Sequence, residues 1–281
     1  MQIEREQRNM ASKKKVTATV NAVRKLAPGI HEMWLKTELA KEAKAGQFIA
    51  LYTGDASMLL PRPISICEVK AAEELLRLVY REAGHGTRKI AECRQGDQIS
   101  ILGILGNGYP IEKAVGKEAL LMGGGIGIPP LLELAKELSD HTKLTIILGY
   151  RDAQLFLKED FEQYGKVLIA TEDGSVGTRG NVMDAVKEYQ TKEKLNYDII
   201  FSCGPMPMLC AIKRFAKEKE IPAYLSMEER MACGVGACLG CVCRTTHVDE
   251  HSHVHNTRIC TEGPVFLADD VAILPEDKRN L

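Results

Sequence analysis

Apolar and polar residues alternate in short bursts from Lys14 to about Tyr109. Residues 16–20 alternate, residues 30–36 alternate again, and residues 47–52 form an apolar run behind Gly46. Residues 75–80 and 98–102 repeat the pattern. A period of two sends every second side chain to one face, so each burst predicts a strand. Several such strands, punctuated by Gly, Pro and Asp, predict an antiparallel barrel. Only residues 88–93 read as a helix in this part.

The texture changes near Gly116. Apolar runs at residues 119–122, 144–148, 166–171 and 198–202 predict buried strands. Between and after them, residues 130–138, 155–164, 182–189 and 207–219 carry helical spacing. Strand and helix in alternation predict a doubly wound parallel α/β domain. After residues 223–226 the periodicity stops and a cysteine-rich tail begins. The chain therefore divides into a disordered extension (1–13), a β-barrel (14–114), an α/β domain (115–225) and a small cysteine domain (226–281).

Composition narrows the classes. A chain of 281 residues with 45% hydrophobic content has enough apolar surface for more than one core. Its formal charge of −1 gives no footing for nucleic acid or for a polybasic membrane anchor. No apolar run approaches the length of a membrane span, and Met1 to Ser12 lack the apolar core of a signal sequence. An odd count of nine cysteines opposes a disulfide framework and suits a reducing cytoplasm.

The cysteines carry the sharpest signal. Cys233, Cys238 and Cys241 have the spacing C-x4-C-x2-C, with Cys260 nineteen residues further on. This is the plant-type pattern of a 2Fe-2S cluster, in which one curled loop supplies three thiolates and a later segment the fourth. Gly234, Gly236 and Gly240 are expected to take positive φ and to bring backbone N–H groups towards the sulfur atoms. Zinc is the competing reading. Cys238 and Cys241 with His247, His251, His253 and His255 could supply ligands, yet Cys233 and the glycine curl would then lack a purpose. Cys243, two residues beyond Cys241 on an expected strand, reads as a bystander.

Two further motifs suggest nucleotides. Gly123-Gly124-Gly125-Ile126-Gly127-Ile128-Pro129-Pro130 joins a strand to a helix, where backbone can approach a pyrophosphate at a helix N-terminus. Cys203-Gly204-Pro205 ends a later strand at its carboxyl end and is expected to face the same ligand, with Cys203 the candidate beside a nicotinamide ring. Residues 171–175 are candidates for the adenosine half. In the barrel, Arg62 can pair with a phosphate and Ser65 can hydrogen-bond a flavin ring. Gly86 and Thr87, opening the short helix, offer a second phosphate seat.

Together these segments resemble the ferredoxin–NADP reductase superfamily, and are most similar to the electron-transfer subunits of dihydroorotate dehydrogenase B. The resemblance runs from about Lys14 to the C-terminus. It rests on Arg62-Pro63-Ile64-Ser65, on residues 227–241 and on Cys260-Thr261-Glu262-Gly263-Pro264-Val265-Phe266. It implies an FAD-binding antiparallel β-barrel, a doubly wound NAD-binding α/β domain and a C-terminal plant-type 2Fe-2S domain. It implies one FAD per subunit on Arg62, Pro63, Ile64, Ser65, Val79, Tyr80, Arg81, Gly86 and Thr87. NAD, the electron acceptor, would lie on Gly124, Gly125, Gly127, Cys203, Gly204 and Pro205. One cluster would sit on Cys233, Cys238, Cys241 and Cys260. The implied partner is an FMN-containing catalytic subunit, two of each forming a heterotetramer in the cytoplasm for pyrimidine synthesis. The superfamily usually has tyrosine where this chain has Ile64, so backbone and neighbouring residues must hold the flavin ring. A reductase subunit serving ferredoxin or a hydrogenase is the nearest alternative, and a zinc-dependent interaction module the alternative of another class.

Overall fold

The structure is a computed structural model describing residues 13–192, 197–249 and 253–274. The expected extension lies outside these residues except for Lys13. Two compact units divide the described residues, one of residues 13–108, 228–242 and 258–264, the other of residues 109–192, 197–227, 243–249, 253–257 and 265–274.

The first unit is built on a closed barrel. Its strands are β1 (Lys14–Ala27), β2 (Ile30–Lys36), β3 (Phe48–Leu51), β4 (Arg62–Lys70), β5 (Leu75–Arg81) and β6 (Gln98–Leu105). They close in the order β1-β2-β5-β4-β3-β6, every pair antiparallel. Burial alternates along β6 as the period of two requires. Met33, Leu35, Ile49, Leu51, Ile66, Leu76, Leu78 and Ile101 fill the barrel. Helix α1 (His85–Ala91) begins three residues before the predicted segment and ends two before its limit. Thr87 explains the start: its Oγ1 accepts the N–H groups of Ala83 at 2.9 Å and Gly84 at 3.1 Å, capping the turn.

The second unit carries a sheet in the order β10-β9-β8-β7-β11-β12-β15. The strands are β7 (Glu118–Gly124), β8 (Lys143–Tyr150), β9 (Lys166–Thr171), β10 (Thr178–Arg179), β11 (Ile199–Cys203), β12 (Ala223–Ser226) and β15 (Val265–Leu267). All neighbours are parallel except β12 and β15. The helices are α2 (Pro130–Leu138), α3 (Lys158–Phe161), α4 (Val182–Lys192) and α5 (Met206–Lys219). Helix α3 is far shorter than the expected 155–164, because Leu157 takes a left-handed backbone (φ +66°) that interrupts the helix. Strand β15, from within the expected cysteine domain, extends this sheet at the β12 edge. Residues 109–114 also belong to this unit, where Thr142 Oγ1 donates to the carbonyl of Ala114 at 3.1 Å. The remaining strands, β13 (Val242–Arg244) and β14 (Asn256–Arg258), form a two-stranded ribbon.

Candidate functional site

The cysteine loop curls as its glycines allow, with one exception. Gly234 (φ +69°) and Gly236 (φ +83°) are left-handed, but the third left-handed residue is Leu239 (φ +56°), not the expected Gly240. A Cβ on Gly240 would make a tight contact with Cys238 Sγ, at 3.3 Å. Backbone N–H groups point at the sulfurs. Val235 and Cys238 donate to Cys233 Sγ at 3.4 Å, Gly240 to Cys238 Sγ at 3.4 Å, and Gly236 to Cys260 Sγ at 3.2 Å. These donors stabilise negative charge on sulfur.

The thiols gather in two pairs, Cys233 with Cys238 and Cys241 with Cys260. Burial opposes ionisation of Cys233, but the N–H groups of Val235 and Cys238 outweigh it and hold the thiol at about 7. Burial and the adjacent Cys241 push Cys260 up to about 12 despite the N–H of Gly236. A metal's positive charge is what would let Cys260 ionise beside Cys241. Among the described residues no three His, Cys, Asp or Glu side chains are placed to hold a single metal ion. Two pairs suit two irons, and the donor set fits a cluster. Of the histidines in the zinc alternative, His251 lies outside the described residues. Cys243 is buried in β13.

The fourth-ligand segment is held by Thr261 and Glu262, which the resemblance includes, and by Arg258 and Asn107, which the sequence did not single out. Arg258 donates to Glu262 at 2.5 and 3.1 Å, and Thr261 donates to Glu262 at 2.8 Å. Asn107, just past β6, donates through Nδ2 to the Glu262 carbonyl at 2.8 Å and through its backbone N–H to the Gly263 carbonyl at 2.6 Å.

In the barrel, Arg62 at the start of β4 meets Gly86 in the first turn of α1. A Cβ on Gly86 would lie 2.5 Å from Arg62 Cζ, so the guanidinium rests against bare backbone. Arg62 also donates to the carbonyl of Leu60. A guanidinium beside the N–H groups of a helix start is an anion seat. Pro63, Ile64 and Ser65 follow on β4, paired with Ala50, Ile49 and Phe48. Ile64 packs against the barrel core. Val79 and Tyr80 are buried and Arg81 is exposed on β5. The Tyr80 ring belongs to the core and stacks on His31 with centroids 5.8 Å apart, so only its backbone is free to meet a ligand.

In the second unit, β7 and β11 are neighbours with Gly123 opposite Cys203, so the turns after both strands emerge side by side. The sheet order reverses there, which is where α/β sheets bind ligands. A Cβ on Gly127 would lie 2.5 Å from the Cys203 carbonyl carbon, and one on Gly124 would lie 2.6 Å from Met208 Sδ. Gly125 (φ +54°) makes the turn between them. The structure thus brings Gly124 and Gly127 against Cys203, Gly204 and Pro205, with open space above Gly125. Pro129 and Pro130 start α2, where missing N–H groups cost nothing. Met208 and the buried Tyr109, whose hydroxyl donates to the Ser202 carbonyl at 3.4 Å, were not singled out by sequence. Residues 171–175 form a tight turn in which Asp173 accepts from Ser175. At the end of β8, Arg151 is exposed, and the Asp152 carboxylate accepts the Gln154 N–H at 2.9 Å.

Comparison with known proteins bears on the family of the chain. A family model described as the iron-sulfur cluster binding domain of dihydroorotate dehydrogenase B matches residues 228–272. A dihydroorotate dehydrogenase B (NAD(+)) electron transfer subunit of Bacillus velezensis is 44% identical over 265 residues, covering 92% of this chain and all of that one. Its counterpart in Fusobacterium nucleatum is 41% identical over 260 residues, covering 91% of this chain and 97% of that one. Among solved structures, an NADH-dependent reduced ferredoxin–NADP oxidoreductase studied for flavin-based electron bifurcation superposes with a TM-score of 0.80 at 25% identity. That match covers 95% of this chain and 96% of the other.

Proposed function

The chain belongs to the electron transfer subunits of dihydroorotate dehydrogenase B, and we propose that it carries electrons from the FMN of a catalytic subunit through 2Fe-2S and FAD to NAD+. The observation that carries this reading is the pairing of four thiols under backbone N–H groups. Cys233 and Cys238 are the proposed ligands of one iron, Cys241 and Cys260 of the other. Arg62 and the Gly86–Thr87 turn seat the FAD phosphates, and Pro63, Ile64, Ser65 and the backbone of Val79, Tyr80 and Arg81 border the ring. Gly124, Gly125, Gly127, Cys203, Gly204 and Pro205 receive NAD. When bound, the cluster supplies single-electron transfer and the flavin hydride exchange with nicotinamide.

The functional segments are then 14–114 for FAD, 115–225 for NAD and 226–281 for the cluster, with one FAD and one cluster per subunit. The oxidation of dihydroorotate belongs to the FMN-containing catalytic subunit. Two copies of each subunit make up the proposed heterotetramer, acting in the cytoplasm in pyrimidine biosynthesis. Among the described residues no helix is long and apolar enough to cross a membrane. The ferredoxin-linked alternative has a relative at 25% identity, against 44% for the dihydroorotate branch.

The test is reconstitution. The isolated chain is expected to contain FAD, iron and acid-labile sulfide, and to oxidise NADH with an artificial acceptor. It is expected to leave dihydroorotate untouched until the catalytic subunit is added, when NAD+ is reduced. Dihydroorotate oxidation by the chain alone, or full coupled activity in a complex stripped of its cluster, would overturn the reading.

A further inference from the structure

Lys13 is the first described residue, and its ammonium lies in the wrong place for a surface lysine. Nζ is shielded from solvent and has no hydrogen-bond partner among the described residues. It lies within electrostatic reach of Cys260, Glu262, Arg258 and Cys233. The register of the barrel explains how it gets there. Lys14 pairs with Gly103, so Lys13 continues β1 alongside the end of β6. That end adjoins the cluster segments: a Cβ on Gly106 would meet Pro264 Cδ at 2.6 Å, and one on Gly234 would lie 3.2 Å from Leu105 Cδ1.

Burying an ammonium without a partner is unfavourable, so the arrangement calls for a compensating anion. Glu262 does not serve. Its carboxylate already accepts from Arg258 through both Nε and Nη2, from Thr261 and from the Arg258 N–H. The remaining anions in reach are the thiolates that Cys260 and Cys233 become when they ligate metal.

We propose that Lys13 is a positioning residue for the iron–sulfur centre, its buried ammonium compensating the charge on the ligands and raising the reduction potential. The proposal rests on the assignment of Cys233 and Cys260 as ligands. Reduction by one electron adds one negative charge to the centre and makes or breaks no bond. A fixed cation nearby therefore stabilises the reduced form more than the oxidised one, and removing it shifts the equilibrium towards oxidation.

The experiment is a redox titration of the full chain with its cluster, followed by visible absorbance and by EPR of the reduced centre. It compares the parent with Lys13→Gln and Lys13→Arg. The Gln variant is expected to hold its electron about tenfold less well, a midpoint lower by about 59 mV. The Arg variant keeps the charge and is expected to stay near the parent. An unchanged midpoint in Lys13→Gln overturns the proposal, and so does a Lys13→Arg displaced as far as Lys13→Gln, which would mark a packing role. If Lys13→Gln purifies without iron, iron content decides: retention in Lys13→Arg supports charge compensation, and loss in both variants overturns it. A parent chain without iron would instead refute the ligand assignment.

Discussion

Arg62 and Gly86 lie in contact, the guanidinium of one occupying the space where a side chain on the other would begin. They are far apart in sequence but share one end of the barrel unit, where β4 begins and α1 starts. The pair separates stability from binding. Gly86→Ala places a better helix former in α1, worth up to about 1 kcal/mol, and the group that must yield is the end of a flexible side chain. Thermal stability should hold or rise while FAD retention falls. Arg62→Ala should lower flavin affinity roughly ten- to a hundredfold, from a charge-assisted contact of about 1.5–3 kcal/mol. Flavin fluorescence on dilution measures both variants. Undiminished binding in both would move the phosphate seat to Arg81.

Gly127→Ala should behave differently, because the atoms in its way are the backbone of Cys203 and Gly204. Backbone yields poorly, so a loss of about 1–3 kcal/mol in stability is expected. NADH oxidation with an artificial acceptor should show a raised KM while FAD content stays at the parental level. An unaltered KM would place the nicotinamide nucleotide elsewhere.

Cys241→Ala should abolish the cluster's visible absorbance, since it breaks the pair with the buried Cys260. Cys243→Ala should leave that absorbance largely intact. Bleaching of the Cys243 variant would mean that the fourth ligand had been assigned wrongly.

Glu32 provides a pH signature within the barrel. Its carboxylate is 7% exposed and accepts from Arg24 at 2.8 Å and from Arg77 at 3.0 Å. Burial raises its proton affinity, but the two arginines outweigh that and hold the carboxyl below its usual range. A depressed carboxylate stabilises the fold above its unfolded-state value, about 4.3, and that contribution disappears as pH falls through the folded-state value. Glu32→Gln should therefore cost about 2–3 kcal/mol at neutral pH, and progressively less below about pH 4.3. Urea unfolding across that range measures the difference, and a constant gap would exclude the ionic contribution.

The sequence alone determined what depends on near neighbours. The limits of α2 (Pro130–Leu138) and β9 (Lys166–Thr171) were legible residue by residue, because periodicity and proline placement act within a few positions. The spacing of Cys233, Cys238 and Cys241 pointed to a cluster, and the glycines after β7 to a close approach, for the same reason. Leu157 went unread, since nothing in its type announces a left-handed backbone. Tyr80 shows the opposite case: it stands in the right segment, but its ring points into the barrel core. Only tertiary structure decided which sulfurs pair, that Arg62 meets Gly86, that Gly127 meets Cys203, and that β15 joins the β12 edge. It also decided that Lys13 lies beside the cysteine loop. Apart from the Cys233–Cys238 pair, each of these contacts joins segments separated by many residues. Their meeting is set by strand order and register, which come from burying all apolar faces at once and leave no mark on any short stretch of chain.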